Sequence, residues 1–290
     1  MSLPKVSIVI PSYKPDHFEQ CLRSALGQTY PHIEILVSDN CPTEAIRDIC
    51  ARFPSVLYQR NTAIGAENVV SSLFSAKGDY IKPLFDDDLL HPFCVERMVE
   101  ALNNDAVQLV FSASHVISID NMRLTERRPF QASGTLDGRE VQRMLTLGMV
   151  NFIGEFSSIM FRRSTLWKVG AARLFTVGEH DCTQGLADVA AYCNFVDGGQ
   201  AQYIDEELSY FRRDPRLASN SNPATNPHLG NCQADGIDLM VQAHRLGVIS
   251  LDELLGTRDH MANAIAAQPG VPALTTAYDR YQQYLHTLKD

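Results

Sequence analysis

The sequence lacks the phosphate-loop pattern G-x-x-x-x-G-K-[ST], the dinucleotide pattern G-x-G-x-x-G and the nucleophile elbow G-x-S-x-G. Three common routes to phosphate binding and acyl transfer are thereby set aside. It has no C-x-x-C pair, and its seven cysteines are an odd number. That pattern suits reduced intracellular thiols better than a disulfide framework. Its nine histidines show no metal-ligand spacing, which argues against zinc. Basic charge is in deficit, with 25 Lys and Arg against 34 Asp and Glu and a net charge of −9. Wholesale nucleic-acid binding wants the opposite balance. No apolar run approaches the ~20 residues needed to span a bilayer. No signal peptide is visible, since Pro4 and Lys5 lead straight into a short strand. The expected location is cytoplasmic, with peripheral contact at the inner face of a membrane left open. Internal repeats and low-complexity tracts are also missing.

The chain does have enough length, 290 residues, for one large or two modest domains with a real core. Short β-branched runs alternate with helical spacing over roughly the first 112 residues. Val6–Ile10, Ile33–Ser38, Val56–Tyr58 and Tyr80–Leu84 read as strands, with Pro11 ending the first. Such alternation predicts βαβ units and a mostly parallel sheet flanked by helices. Ligands of such sheets bind beyond the carboxyl ends of the strands. Pro11, Tyr13, Asp39, Asn61 and Asp86-Asp87-Asp88 all fall at those expected ends. Further on, Val107–Ser112 and Ser114–Ile119 read as two strands, and Asn121–Ser133 as a polar loop. Ser157–Phe161 reads as a strand, Phe175–Gly185 as a loop and Asp188–Val196 as a helix. Gln202–Ile204 and Leu208–Phe211 read as short strands around the acidic turn Asp205-Glu206-Glu207. Arg213–Leu229, rich in Pro, Asn and Ser, is the expected mobile segment. From about Cys232 onward three helices are expected, broken near Gly247 and Gln268-Pro269-Gly270.

The acidic triplet Asp86-Asp87-Asp88 is the feature around which the rest is arranged. Two unit charges ~4 Å apart repel by about 4 kcal/mol at an effective dielectric of 20. A hard divalent cation removes that cost, because Mg²⁺ and Mn²⁺ take carboxylate oxygens and keep open positions for phosphate. A solvated acidic turn is the competing reading. A bound cation would also reverse the local sign and let an acidic protein take an anionic ligand.

Six segments, in order, carry a resemblance. They are Val6–Tyr13, Cys21–Tyr30, Ile33–Asn40, Arg60-Asn61 with Gly65 and Asn68, Gly78–Pro92, and Gly199–Arg212. Together they resemble the family 2 glycosyltransferases with the GT-A (Rossmann-like) nucleotide-sugar fold. The resemblance covers about the first 212 residues and leaves the last ~70 outside. It implies that Pro11 and Tyr13 border the base and ribose, and that Asp39 accepts a hydrogen bond from the base. It also implies nucleotide-sugar binding by Asn61, Gly65, Asn68, Asp86, Asp87 and Arg212. Asp88 is the first choice for the metal ligand, with Asp86, and the ion is Mn²⁺ or Mg²⁺. The usual Leu-Asp-x-Asp-Asp has Phe85 at its first acid. The catalytic base aligns with Asp188, preceded by Ala187 where the family carries Glu, and Asp181 is the second candidate. The family's histidine after the closing arginine is missing here; Asp214 is nearby and the next histidine is His228. Glu155 falls in a segment similar to the acceptor-side loop.

The expected whole is an α/β GT-A domain with a C-terminal helical extension. Residues 1–112 are expected to hold the nucleotide-sugar, 113–230 to form the acceptor side, and 231–290 to form the extension. The expected activity is inverting transfer from a nucleoside-diphosphate sugar, most simply a UDP-sugar, to a glycan or other hydroxyl acceptor in surface polysaccharide synthesis of the bacterial type. Partners are a donor and an acceptor, not nucleic acid; a homo-oligomer is left open. The alternatives are a non-catalytic descendant that binds nucleotide or glycan, and a sugar-nucleotide pyrophosphorylase.

Overall fold

A computed structural model describes residues 3–214, 226, 228–268 and 270–288. Most of the segment expected to be mobile, Arg213–Leu229, lies outside the described residues. The chain begins with β1 (Val6–Ser12), α1 (Phe18–Leu26), β2 (Ile33–Asp39), α2 (Ala45–Cys50), β3 (Val56–Arg60), α3 (Ala66–Ser75) and β4 (Tyr80–Pro83). Next come β5 (Leu89–Leu90), α4 (Cys94–Ala101), β6 (Val107–Ile117), β7 (Arg123–Arg127), β8 (Gly134–Asp137) and α5 (Gly138–Leu147). Then follow β9 (Ile159–Arg162), α6 (Arg163–Val169), β10 (Thr176–Val177), β11 (His180–Asp181), α7 (Ala187–Phe195) and β12 (Gln200–Arg212). The last helices are α8 (Leu229–Arg245), α9 (Leu251–Gly256), α10 (Arg258–Ala267) and α11 (Pro272–Thr287).

Two compact units share the chain. The first comprises 1–136, 153–171 and 199–214; the second comprises 137–152, 172–198 and 215–290. The first holds a sheet in the order β3-β2-β1-β4-β9-β6-β12-β5, with β7 beside β6 and β8 beside β12. β1 pairs in parallel with β2 and β4, and β2 with β3. β9 runs antiparallel between β4 and β6, while β6 and β12 are parallel. Val6, Ile8, Ile10, Ile35 and Val37 bury one face of this sheet against Phe18, Leu22 and Ala25 of α1 and Ile46 of α2. Near-continuous apolar strands are what a sheet covered on both faces requires.

β1 runs through Pro11 to Ser12 rather than stopping at the proline. Past Val9 the strand is paired only on its β2 side, where a missing N–H is tolerated. The expected loop 121–133 contains β7, an exposed antiparallel partner of β6. The two short strands expected around Asp205–Glu207 are one strand, β12, whose register shifts between Ile204 and Glu207. A bulge absorbs the acidic residues without ending the ladder. The second unit has its own core, in which Ile237, Met240 and Val241 of α8 meet Leu254, Leu274, Ala277 and Tyr281. Four helices, not three, make up its C-terminal part, because Ser250 and Glu253 form a capping box that starts α9.

Candidate active site

The carboxyl ends of β1, β2 and β4 bring the aromatic turn and the acidic triplet together. Asp86 is buried, and one of its oxygens accepts the backbone N–H groups of Tyr13 and Lys14, each at 2.6 Å. Lys14 Nζ donates to Asp87 at 3.0 Å. Asp88 is fully buried; its Oδ1 accepts the Arg212 backbone N–H at 3.0 Å, and its Oδ2 is enclosed without a hydrogen-bond partner. Burial, then the neighbouring Asp87 charge, pushes the Asp86 carboxyl up to about 6 and that of Asp88 well above the usual range. Beneath them Lys82 is also buried and donates to the carbonyls of Pro83 and Ser157; burial holds its pKa below normal.

An orphaned buried carboxylate oxygen, two residues from a second buried carboxylate, suits a hard divalent ion. Asp88 and Asp86 would hold it. Asp87 differs from the other two, being half-buried and tied to Lys14.

Asp39 ends β2 with its side chain wholly enclosed. Its Oδ1 accepts the Cys41 N–H at 2.8 Å, and its Oδ2 accepts Tyr58 Oη–H and Arg60 Nη1–H at 2.8 Å each. These fill three of a carboxylate's about four acceptor directions. Asn61 and Asn68 turn inward. The Asn61 amide donates to Ser38, Asn68 and Ser71, and the Asn68 amide donates to the Ser38 carbonyl. They brace the turn that ends at Gly65, whose φ of +53° opens α3 and favours glycine. Tyr13 is 56% exposed, so its ring is available as a stacking surface. Arg212 is buried, and its guanidinium donates to the carbonyls of Asp87, Ser118 and Ile119 and to Gln20 Oε1. In this position it fastens β12 to the acidic turn.

Two features escape the motifs. His17, at the start of α1, has a buried Nε2 without a partner, with Arg212, Asp87, Asp16 and Asp214 as the charges around it. Burial, then the Arg212 charge, lowers its pKa. Arg127 pairs with Glu155, whose charge also acts on Asp88. Only the position of His17 just past Tyr13 could have pointed to it.

Asp188 and Asp181 belong to the second unit. Asp188 lies in the first turn of α7, half-buried; its Oδ2 accepts the Asn151 amide at 2.7 Å and its Oδ1 the Val189 N–H at 2.8 Å. Asp181 is exposed, and its Oδ1 accepts both the N–H and the hydroxyl of Thr183, which lowers its pKa. It is committed to its own turn. A cavity of about 710 Å³, lined by Pro4, Asp79, Tyr80, Arg162, Arg163 and Trp167 among others, holds none of the candidate residues.

Among solved structures, residues 1–349 of S. aureus TarS in complex with UDP-GlcNAc align over 97% of this chain and 81% of that one, with a TM-score of 0.67 and 12% identity. That likeness shows the fold. Protein CgeD of Bacillus subtilis is 30% identical over 176 residues, 56% of this chain and 39% of the relative. The succinoglycan biosynthesis protein ExoO of Rhizobium meliloti is 28% identical over 167 residues, 55% of this chain and 44% of the relative. The chain thus spans about half or less of the length of such curated relatives. No helix among the described residues is long and apolar enough to cross a membrane. The model of Glycosyl transferase family 2 matches residues 7–170, over the strands and the acidic turn just described, and the chain belongs to that family.

Proposed function

We propose that the protein is an inverting glycosyltransferase that takes a UDP-sugar as donor and a glycan-type hydroxyl as acceptor in polysaccharide synthesis. The observation that carries this reading is the enclosed, unpartnered Oδ2 of Asp88 in the acidic turn after β4 of a family 2 chain, where Asp86 is also buried. Asp88 and Asp86 would hold a divalent ion, Mn²⁺ or Mg²⁺, which would supply electrostatic stabilisation for the departing diphosphate. The chain's own residues do the rest. Tyr13 offers its ring to the base, and the remaining acceptor direction of Asp39 takes a base N–H. Arg60, 42% exposed at its side chain, pairs with that carboxylate from the solvent side. His17 Nε2 supplies a polar contact for the phosphate end of the donor. The UDP choice draws on TarS, a structural neighbour solved with UDP and with UDP-GlcNAc.

Asp188 serves as the base. Support comes from its place in the family pattern and from the Asn151 amide and the Val189 N–H, which fix the orientation of its carboxylate. The acceptor oxygen forms its bond to the anomeric carbon as the bond to the diphosphate oxygen breaks. The hydroxyl proton passes to the Asp188 carboxylate. Single displacement needs one base and no covalent intermediate.

The test is release of nucleoside diphosphate from a panel of UDP-, GDP- and dTDP-sugars with Mn²⁺ and glycan acceptors. Turnover of a UDP-sugar, lost in Asp188→Asn while UDP binding persists, is the expected result. Binding without turnover across the panel would overturn the enzyme reading in favour of a binding protein.

A further inference from the structure

The second unit gathers His180 of β11, Cys182 just after it, and Asp235 of α8. Nε2, Sγ and a carboxylate oxygen of these residues all lie within 4.8 Å of one another. We propose that this triad is a zinc site, distinct in chemistry from the all-oxygen pair Asp86 and Asp88. Its function is to tie the β10–β11 hairpin and the start of α7 to α8.

The donor set argues for zinc. One imidazole, one thiolate and one carboxylate form the mixed N, S, O set that zinc accepts and Mg²⁺ or Mn²⁺ do not prefer. Ligand atoms on a tetrahedron about 2.0–2.3 Å from zinc sit roughly 3.3–3.8 Å apart. The His180 Nε2 to Asp235 Oδ1 separation of 2.8 Å would open by about half an ångström to reach that range. The side chain of His180 is 20% exposed, so water can reach a fourth position. Three protein ligands with an open fourth position is the ligand count of a catalytic zinc rather than of a closed structural one; here the position is taken by water and the ion serves to hold the elements together.

The surroundings supply independent support. Cys182 is fully buried, and no described residue gives its Sγ a hydrogen bond, while Asp235, Asp181 and Asp238 set a negative field around it. Burial and these charges raise the pKa of the Cys182 thiol, so a divalent ion here would displace its proton and offset the surrounding negative field. His180 turns its other ring nitrogen toward Asp238, 3.9 Å away, and Asp238 is itself held by Arg280. A carboxylate behind a ligating imidazole is the usual outer partner of a zinc histidine. Asp235 Oδ2 accepts the N–H of Leu186, the residue that caps α7, at 2.9 Å. Gly185 passes so close that a Cβ there would meet Asp235 Oδ2 at 2.3 Å. The loop from Cys182 to Leu186 is therefore drawn onto Asp235, and Asp188 follows two residues later. Spacing rules read neighbours along the chain and so miss this cluster, because Asp235 arrives from a distant helix.

The test uses the full chain stripped with chelator and titrated with Co²⁺ alone, then Zn²⁺ alone. A thiolate-to-cobalt absorption band that saturates at one equivalent is expected, displaced by Zn²⁺ and absent in Cys182→Ser. Cys50→Ser, in the other unit, keeps the band. Mn²⁺ gives none, which separates this site from the nucleotide site and from the transferase reading. Should Cys182→Ser fail to fold, His180→Gln is expected to weaken Co²⁺ binding at least tenfold with its circular dichroism unchanged. No thiolate band at equimolar Co²⁺, a band that survives Cys182→Ser, or undiminished affinity in folded His180→Gln would each overturn the proposal.

Discussion

Asp88→Asn tests the acidic turn at the smallest scale. The amide keeps an oxygen for the Arg212 N–H but cannot neutralise a divalent ion. Turnover with Mn²⁺ and UDP-sugar should fall by about 100-fold or more, with the melting temperature of the metal-free protein unchanged or raised. Turnover within a few-fold of the parent would remove Asp88 from the metal. Asp86 adds a pH signature. Its folded pKa of about 6 stands above the ordinary value of 3.8. Between those values the folded chain binds more protons than the unfolded one, so stability contributed by this group falls as pH rises from about 4 to about 6. Asp86→Asn removes that dependence. Urea midpoints in chelator should show the variant gaining on the parent between pH 4.5 and 7; parallel profiles would sink the assignment. His17→Ala should raise the donor KM several-fold and leave kcat nearly unchanged, as expected for a ground-state contact; an unchanged KM would exclude it. The acids themselves were readable, because three adjacent carboxylates at a strand end are conspicuous in text. The partners of Asp39 were not. Tyr58 and Arg60 reach it from a neighbouring strand, and only register shows that.

At the level of elements, Gly78→Ala probes how closely β1 and the approach to β4 are packed. A Cβ at Gly78 would stand 2.6 Å from Ser7 N and 2.8 Å from Lys5 O. Both are backbone atoms of the neighbouring strand segment and cannot rotate away. Overpacking of this kind costs about 1–3 kcal/mol, so thermal unfolding should begin several degrees lower; an unshifted transition would mean that the turn relaxes freely. The first four strands and their helices were legible, since buried parallel strands are written as apolar runs. β7 was not, because Arg-Leu-Thr-Glu-Arg is exposed nearly throughout and carries no alternation. The sequence suggests a break at Ala113, between strands 107–112 and 114–119, yet Ser112-Ala113-Ser114 are buried in one continuous strand, β6. Small polar side chains suit its crowded interior, and polarity alone cannot reveal it.

For the whole molecule, the division into two interleaved units means that sequence position does not tell which residues share a core. Residues 137–152 and 172–198 leave the first unit and return to it, an exchange that no local pattern announces. The residues proposed to bind the nucleotide-sugar all fall in the first unit, and the proposed base and zinc triad in the second. Ligands therefore report on the units separately. A ligand at 100 times its Kd stabilises the form that binds it by about 2.7 kcal/mol. Amide exchange in what it touches should slow accordingly. With UDP and Mn²⁺, protection is expected in peptides covering 11–14, 38–41 and 84–88, which carry the residues of the proposed donor site. With Zn²⁺ alone, protection is expected in peptides covering 178–188 and 232–238. The net charge of −9 opposes a bare nucleotide, so UDP without Mn²⁺ should protect the first set far less. Protection of the first set that ignores Mn²⁺ would break the link between the acidic turn and the diphosphate, because an anion that binds buried carboxylates without a cation between them contradicts their electrostatics.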